Sequence, residues 1–343
     1  MQAAILVHPR FDAIWPFSAD HAHRLWAGEG AVNFVRVAPD DNRPAGTVAT
    51  APEKIERLLV LGLVLTLDCV GRFSHLKELA WFEDGYGRPS AGSEVVLAAL
   101  AARGVRVIRH TSEGFWGQSV SEFGLALTLA ALRRIPQTHR AMITDHGPWD
   151  YTPPGGMGRP GERGQQYGDD ARFTAGTLEG KRVRIVGAGN IASRYASFCR
   201  MLGADVAAWD PFAGEPSFHR AGARREHFLD RLGRDAEIFV PMVPLTEQTR
   251  GLVTAAHIDA LPRGTLVVLV TRAGICDMAA LRRRVLADEL ALAADVFDVE
   301  PVPLDDPLLG RDNVVHTPHN AGRTRQANER WAEMLLAQFT PIA

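Results

Sequence analysis

Cysteine is scarce in this chain. Cys69, Cys199 and Cys276 are the only three in 343 residues, and an odd number without CxxC spacing argues against a disulfide framework. A reducing cytoplasm is the simplest setting for such a sequence. Long apolar runs are also missing: the longest, Leu58 to Leu67, has about half the ~20 residues that a membrane-spanning helix needs. It reads as a buried strand or helix of a core. Nor is there an excess of one charge. The formal net charge is −2 and the arginines are scattered, which gives no electrostatic reason to expect nucleic acid or a membrane surface as partner. The opening MQAAILVHPRFD has no basic leader before its apolar run and no small-residue cleavage site behind it, so no signal peptide is expected. No internal repeat is present, and the close approach of the last helical pattern to the end of the chain leads us to expect no added regulatory domain.

What is present centres on RVRIVGAGNIASRYASFCRMLGADVAAWD, residues 182–210. A short β-branched run, Val183 to Val186, meets a glycine turn at Gly187 and Gly189. A helical pattern then ends near Gly203, and a second apolar run, Val206 to Trp209, ends at Asp210. Gly187 allows the sharp turn, Gly189 lets backbone approach a pyrophosphate, and Ala192 occupies the third, helix-packing position of a G-x-G-x-x-G/A pattern. Amides at the helix start then face the phosphates. Asp210 lies 18 residues beyond Ala192, near the spacing of about 20 for an acid that accepts the ribose hydroxyls. Its charge repels a 2′-phosphate and no cation follows in Pro211-Phe212, which favours NAD over NADP.

The length suits two domains. Ala3 to Val7 reads as an opening parallel strand, Ser93 to Arg103 as helix and Val105 to Ile108 as strand, giving a first α/β domain. Ser119-Val120-Ser121-Glu122 reads as a capping box that starts a long, buried helix running to about Arg140. Residues 147–179 turn rich in Gly and Pro and read as a loop or partly ordered excursion, either functional, as a lid or an oligomer arm, or disordered. Strand patterns follow at Ile238 to Val240, Leu266 to Val270 and Leu290 to Ala294, with a helix at Met278 to Arg284 and an amphipathic one at Thr324 to Phe339. Arg272, Glu300 and His319 each follow a strand-like run, where an open parallel sheet binds its ligands. Each also has a plain reading: a surface cation, a loop acid and a helix cap.

Five segments, VGAGNIA at 186–192, VPLTEQTRGLV at 243–253, VTRAGICDMAAL at 270–281, ADVFDVEP at 294–301 and TPHNAG at 317–322, make the chain resemble the D-2-hydroxyacid dehydrogenase family. The resemblance covers roughly residues 115–325. It implies an α/β protein with two Rossmann-like or flavodoxin-like domains, parallel sheets with helices on both faces, and a split substrate domain around a central NAD-binding domain. The divisions expected are 1–114 for the first part of the substrate domain, 115–317 for the cofactor domain with a dimerisation helix at 119–140, and 318–343 for the returning C-terminal helix.

The resemblance further implies that Arg272 pairs with a substrate carboxylate, that His319 is the general acid or base and that Glu300 orients it. Contacts to NAD(H) are implied for Gly187, Gly189, Asn190, Ile191, Asp210, Val243, Pro244, Thr271 and Asp295. Gly85, Tyr86, Gly87 and Trp116 are implied beside the substrate, with Trp116 and Phe115 favouring an apolar side chain if they line the cleft. Ala273, where the family usually has glycine, and Pro241-Met242 before the VPLT stretch depart from its pattern. The expected protein is a metal-free, cytoplasmic, homodimeric enzyme that interconverts a 2-oxo acid and a D-2-hydroxy acid. Oxidation of phosphite or a phosphonate-bearing acid at the same site is one alternative, and a non-enzymatic NAD sensor akin to the family's corepressor relatives is another.

Overall fold

The computed structural model describes residues 2–84, 92–144, 147–149 and 168–341. The chain divides into two compact units, residues 1–115 with 323–343 and residues 116–322.

In the first unit five strands, β1 (Ala3–Val7), β2 (Val32–Arg36), β3 (Arg57–Leu61), β4 (Glu78–Phe82) and β5 (Arg106–Ile108), form a parallel sheet of order β2-β1-β3-β4-β5. Strand β1 is wholly apolar and buried at every position, as a central parallel strand covered on both faces must be. One face packs Ala4, Leu6, Leu58, Val60 and Leu79 on Cys69, Val70, Val96 and Leu100. Elsewhere in the unit an aromatic cluster gathers around Trp331 of the C-terminal helix Arg325–Leu336. Its ring centroid lies 4.9–5.6 Å from those of Phe11, Trp15, Phe82 and His110. Phe115, a candidate cleft residue, belongs to this core: it is buried and meets Trp15 edge-on at 5.6 Å.

Seven further strands, β6 (Arg182–Val186), β7 (Asp205–Trp209), β8 (Arg224–Arg225), β9 (Ile238–Pro241), β10 (Leu266–Leu269), β11 (Ala291–Ala294) and β12 (Val314–His316), build the second unit. They form a parallel sheet of order β12-β11-β10-β9-β6-β7-β8. Alternation along β6 sends Val183 and Ile185 into one core with the helices Gly117–Leu132 and Asn190–Met201. Val186 joins another core with Ile258, Leu281 and Val285. Helices therefore cover both faces, and the fold is the doubly wound α/β arrangement expected.

The long helix differs from its expected span. It begins at Gly117, ends at Leu132, and is followed by a separate helix Ile135–Met142. The break is chemical: Pro136 has no N–H to donate to the Leu132 carbonyl, which accepts from Gly176 N–H instead at 3.1 Å, while Arg134 turns left-handed at φ 49°. The capping box is not formed either. Ser119 Oγ donates to the Ala321 carbonyl, and Glu122 accepts from Gln118. All three cysteines are free and buried, and burial pushes the Cys199 and Cys276 thiols up to about 12. Among the described residues no helix is long and apolar enough to cross a membrane.

Candidate active site

The carboxyl ends of β6, β7, β9, β10, β11 and β12 carry nearly every candidate residue of the second unit, because each motif follows its strand directly. At the end of β6, Gly187 has φ +116°, and a Cβ there would lie 2.8 Å from the Met242 carbonyl oxygen. Only glycine satisfies both conditions. A Cβ on Gly189 would meet nothing within 4 Å, so the backbone faces open space where the helix Asn190–Met201 begins. The first amides of a helix have no partners within it, and this opening suits a phosphate. Asn190 and Ile191 are the first residues of that turn.

Asp210, just past β7, does more than cap a strand. Its Oδ2 accepts Ala188 N–H at 2.8 Å, and its Oδ1 accepts the amides of Phe212 and Ala213 at 2.9 and 3.0 Å. The carboxylate thus holds the glycine turn from below and remains half-buried. Val243 and Pro244 follow β9. Thr271 follows β10, its hydroxyl donating to the Pro241 carbonyl at 3.3 Å. The glycine turn, the helix start and the acid together fit a dinucleotide such as NAD(H), with Gly187, Gly189 and Asp210 as the residues that would hold it.

His319 and Glu300 meet. His319 Nδ1 lies 2.7 Å from Glu300 Oε2, while Glu300 Oε1 accepts Phe297 N–H at 2.8 Å. The carboxylate is therefore oriented by backbone as well as by the ring. His319 itself has φ +54°, a left-handed conformation that a non-glycine residue adopts at some cost. What holds it there is Asp295. This fully buried carboxylate accepts Asn320 N–H at 3.0 Å, Ala321 N–H at 2.8 Å and the Thr317 hydroxyl at 2.6 Å. Asp295, expected as a cofactor contact, has in the structure the observed work of clamping the His319 loop.

Arg272 stands at the end of β10 with an exposed side chain whose Nη1 donates to the Thr271 carbonyl at 2.7 Å. Trp116 packs against the far end of the His319 loop, since a Cβ on Gly322 would lie 2.1 Å from the indole. Gly85, Tyr86 and Gly87 lie outside the described residues, as do residues 150–167 of the Gly/Pro-rich loop. The sequence reading missed the loop clamp. Thr317 stood within the TPHNAG motif, but nothing in the pattern revealed that its hydroxyl meets Asp295. Ser119, read as a cap, instead secures the carbonyl of Ala321. Among the described residues no group of three His, Cys, Asp or Glu side chains is placed to hold a metal ion.

Residues 125–321 match the family model described as D-isomer specific 2-hydroxyacid dehydrogenase, NAD binding domain. The chain is 32% identical over 243 residues to a D-3-phosphoglycerate dehydrogenase of Archaeoglobus fulgidus, covering 70% of this chain and 42% of that protein. It is 30% identical over 233 residues to a hydroxypyruvate reductase of Thermotoga maritima, covering 66% of this chain and 67% of that protein. Among solved structures, a D-isomer specific 2-hydroxyacid dehydrogenase from Xanthobacter autotrophicus Py2, in complex with NADPH and MES, is similar at TM-score 0.61 and 25% identity. That likeness covers 95% of this chain and 92% of the other. The chain spans about half or less of the length of the D-3-phosphoglycerate dehydrogenases it matches.

Proposed function

Because the chain belongs to the D-isomer specific 2-hydroxyacid dehydrogenases, we propose that it interconverts a 2-oxo acid and a D-2-hydroxy acid with NAD(H). The observation that carries this reading is the His319–Glu300 pair at 2.7 Å on a loop clamped by Asp295. Bound NADH supplies the hydride. As the carbonyl carbon is reduced, its oxygen gains negative charge and needs a proton. A donor already aimed at that oxygen lowers the barrier without reorganising. Glu300 faces Nδ1, which fixes the ring and leaves Nε2 as the atom that gives or takes the proton. Arg272 offers a planar fork of donors that suits a carboxylate bidentately. Asp210 supports NAD over NADP, since a second negative charge beside it is repelled.

Loss of NADH absorbance with a panel of 2-oxo acids, from glyoxylate and pyruvate through hydroxypyruvate to phenylpyruvate and a phosphonate-bearing analogue, tests the activity. His319→Ala should lower kcat by about 10²–10⁴-fold while NADH still binds; unchanged turnover overturns the assignment. Phosphite and formate offered as hydride donors to NAD test the inorganic alternative. Silence throughout, with NADH-dependent self-association, would point to a sensor. The proposal includes a cytoplasmic setting and pairing of two copies through the region of the helix Gly117–Leu132. The exposed Ile135, Met142 and Ile143 just beyond it support such a contact, which light scattering would read.

A further inference from the structure

The first sheet has a switch point of its own. Its order places β2 and β3 on opposite sides of β1, and crevices outside the carboxyl ends of strands at such reversals are where open α/β sheets take ligands. At that place stands Arg10, two residues past His8, the first residue beyond β1. The exposed guanidinium is held in position. Nε donates to His8 Nδ1 at 3.1 Å and Nη2 to Asn42 Oδ1 at 2.6 Å, while Arg10 N–H donates to the same His8 nitrogen at 3.0 Å. Gly62, one residue past β3, has φ +79°, and a Cβ there would lie 3.0 Å from Arg10 Cγ. The side chain thus lies close over backbone that carries no side chain of its own.

Its partners are all neutral. His8 is buried, and burial followed by the charge of Arg10 holds its imidazole below the ordinary range. Nearby arginines are paired otherwise: Arg36 with Asp12 and Asp20, Arg43 with Asp41. Among the described residues Arg10 has no carboxylate within salt-bridge distance. A braced guanidinium whose cation is not neutralised, with Nη1 making none of these bonds, matches an oxyanion.

We propose that Arg10, braced by His8 and Asn42 at the carboxyl edge of β1 and β3, is a binding site for an oxyanion, a carboxylate or phosphate group. The test titrates inorganic phosphate into the full chain, with ionic strength held by chloride, and follows the backbone amide resonance of residue 10, which donates to His8 Nδ1 and is retained in every variant. A saturable shift is expected, with affinity falling at least tenfold in Arg10→Gln and partly restored in Arg10→Lys. No saturable shift, or equal phosphate affinity in Arg10→Gln, overturns the proposal. A second arm finds the source of the anion. If KM rises at least tenfold in Arg10→Gln for dicarboxylic 2-oxo acids and stays within twofold for monocarboxylic ones, the anion is a second acidic group of the substrate. If neither KM moves while phosphate binding is lost, it is a free anion. Only the kinetic arm rests on the proposed activity, so the titration stands or falls separately from it.

Discussion

A histidine in the left-handed region costs of order 1–3 kcal/mol, and His319 is held there at φ +54° by three hydrogen bonds to one buried carboxylate, Asp295. The same unit that stores this strain directs Nδ1 to Glu300. Another histidine of the molecule has the opposite circumstances. His110 sits among Phe82, Phe115 and Trp331, with both ring nitrogens buried and, among the described residues, without a hydrogen-bond partner. Burial alone pushes it down to about 4. A base whose folded pKa is depressed binds its proton better when unfolded. Its contribution to stability is therefore complete above the ordinary value near 6.5 and is lost as pH falls from there toward 4. His110→Phe should flatten the fall in Tm between pH 7 and pH 4.5; an unchanged slope would show that other groups govern acid stability. At this scale the sequence was legible where chemistry is written in motifs. Arg272, Glu300 and His319 follow their strands as the pattern implies, and Gly187 and Asp210 take the turn and strand end that their spacing predicted. Residues whose role depends on distant partners were not legible. The hydroxyl of Thr317 is 22 positions from Asp295, and neither residue type announces the other.

Helices and strands show a second kind of hidden information. The helix Gly117–Leu132 packs on the helix Asn190–Met201 along Gly117, Ser121, Gly124 and Thr128, spaced four, three and four apart. Ser121 Oγ donates to the Ile191 carbonyl, and Thr128 Oγ1 meets the Tyr195 hydroxyl at 2.8 Å. A Cβ on Gly124 would already lie 3.2–3.3 Å from Met242, Tyr195 and Val270. Gly124→Leu should therefore destabilise the second unit by about 1–3 kcal/mol through overpacking, read as a lower midpoint in urea; tolerance of leucine would mean that the seam is looser than its contacts imply. Hydropathy had marked this helix as buried but drew attention to its leucines rather than to the small residues that let the backbones approach. The strands conceal charge in the same way. Arg57, Glu78 and Arg106 are cross-strand neighbours on β3, β4 and β5, and Glu78 also accepts Thr340 N–H at 3.1 Å. Arg184, buried within an apolar strand, pairs with Asp205 and Asp235 at 2.9 and 2.6 Å. Such ions break the hydrophobic pattern by which a strand is recognised, and only their partners on other segments make them tolerable.

The whole chain forms its first unit from both ends, so the last segment decides whether that unit exists. Residues after Gly322 supply Trp331 to the aromatic cluster, Asn328 to Phe17 N–H and Ser18 Oγ at 3.2 and 2.9 Å, and Thr340 to the buried Glu78. A chain of residues 2–115 alone lacks all of these contacts. The second unit, residues 116–322, carries its sheet, both of its cores and the glycine turn without them. A chain ending at Gly322 should thus lose the calorimetric transition of the first unit and keep that of the second. NADH at about 100 times its Kd adds about 2.7 kcal/mol to a state that binds it, so the surviving transition should still rise with the cofactor. In the full chain, NADH should raise the transition that persists after truncation. Disappearance of every cooperative transition in the shortened chain would refute the independence of the second unit. A surviving transition that ignores NADH would instead place part of the cofactor's hold outside residues 116–322.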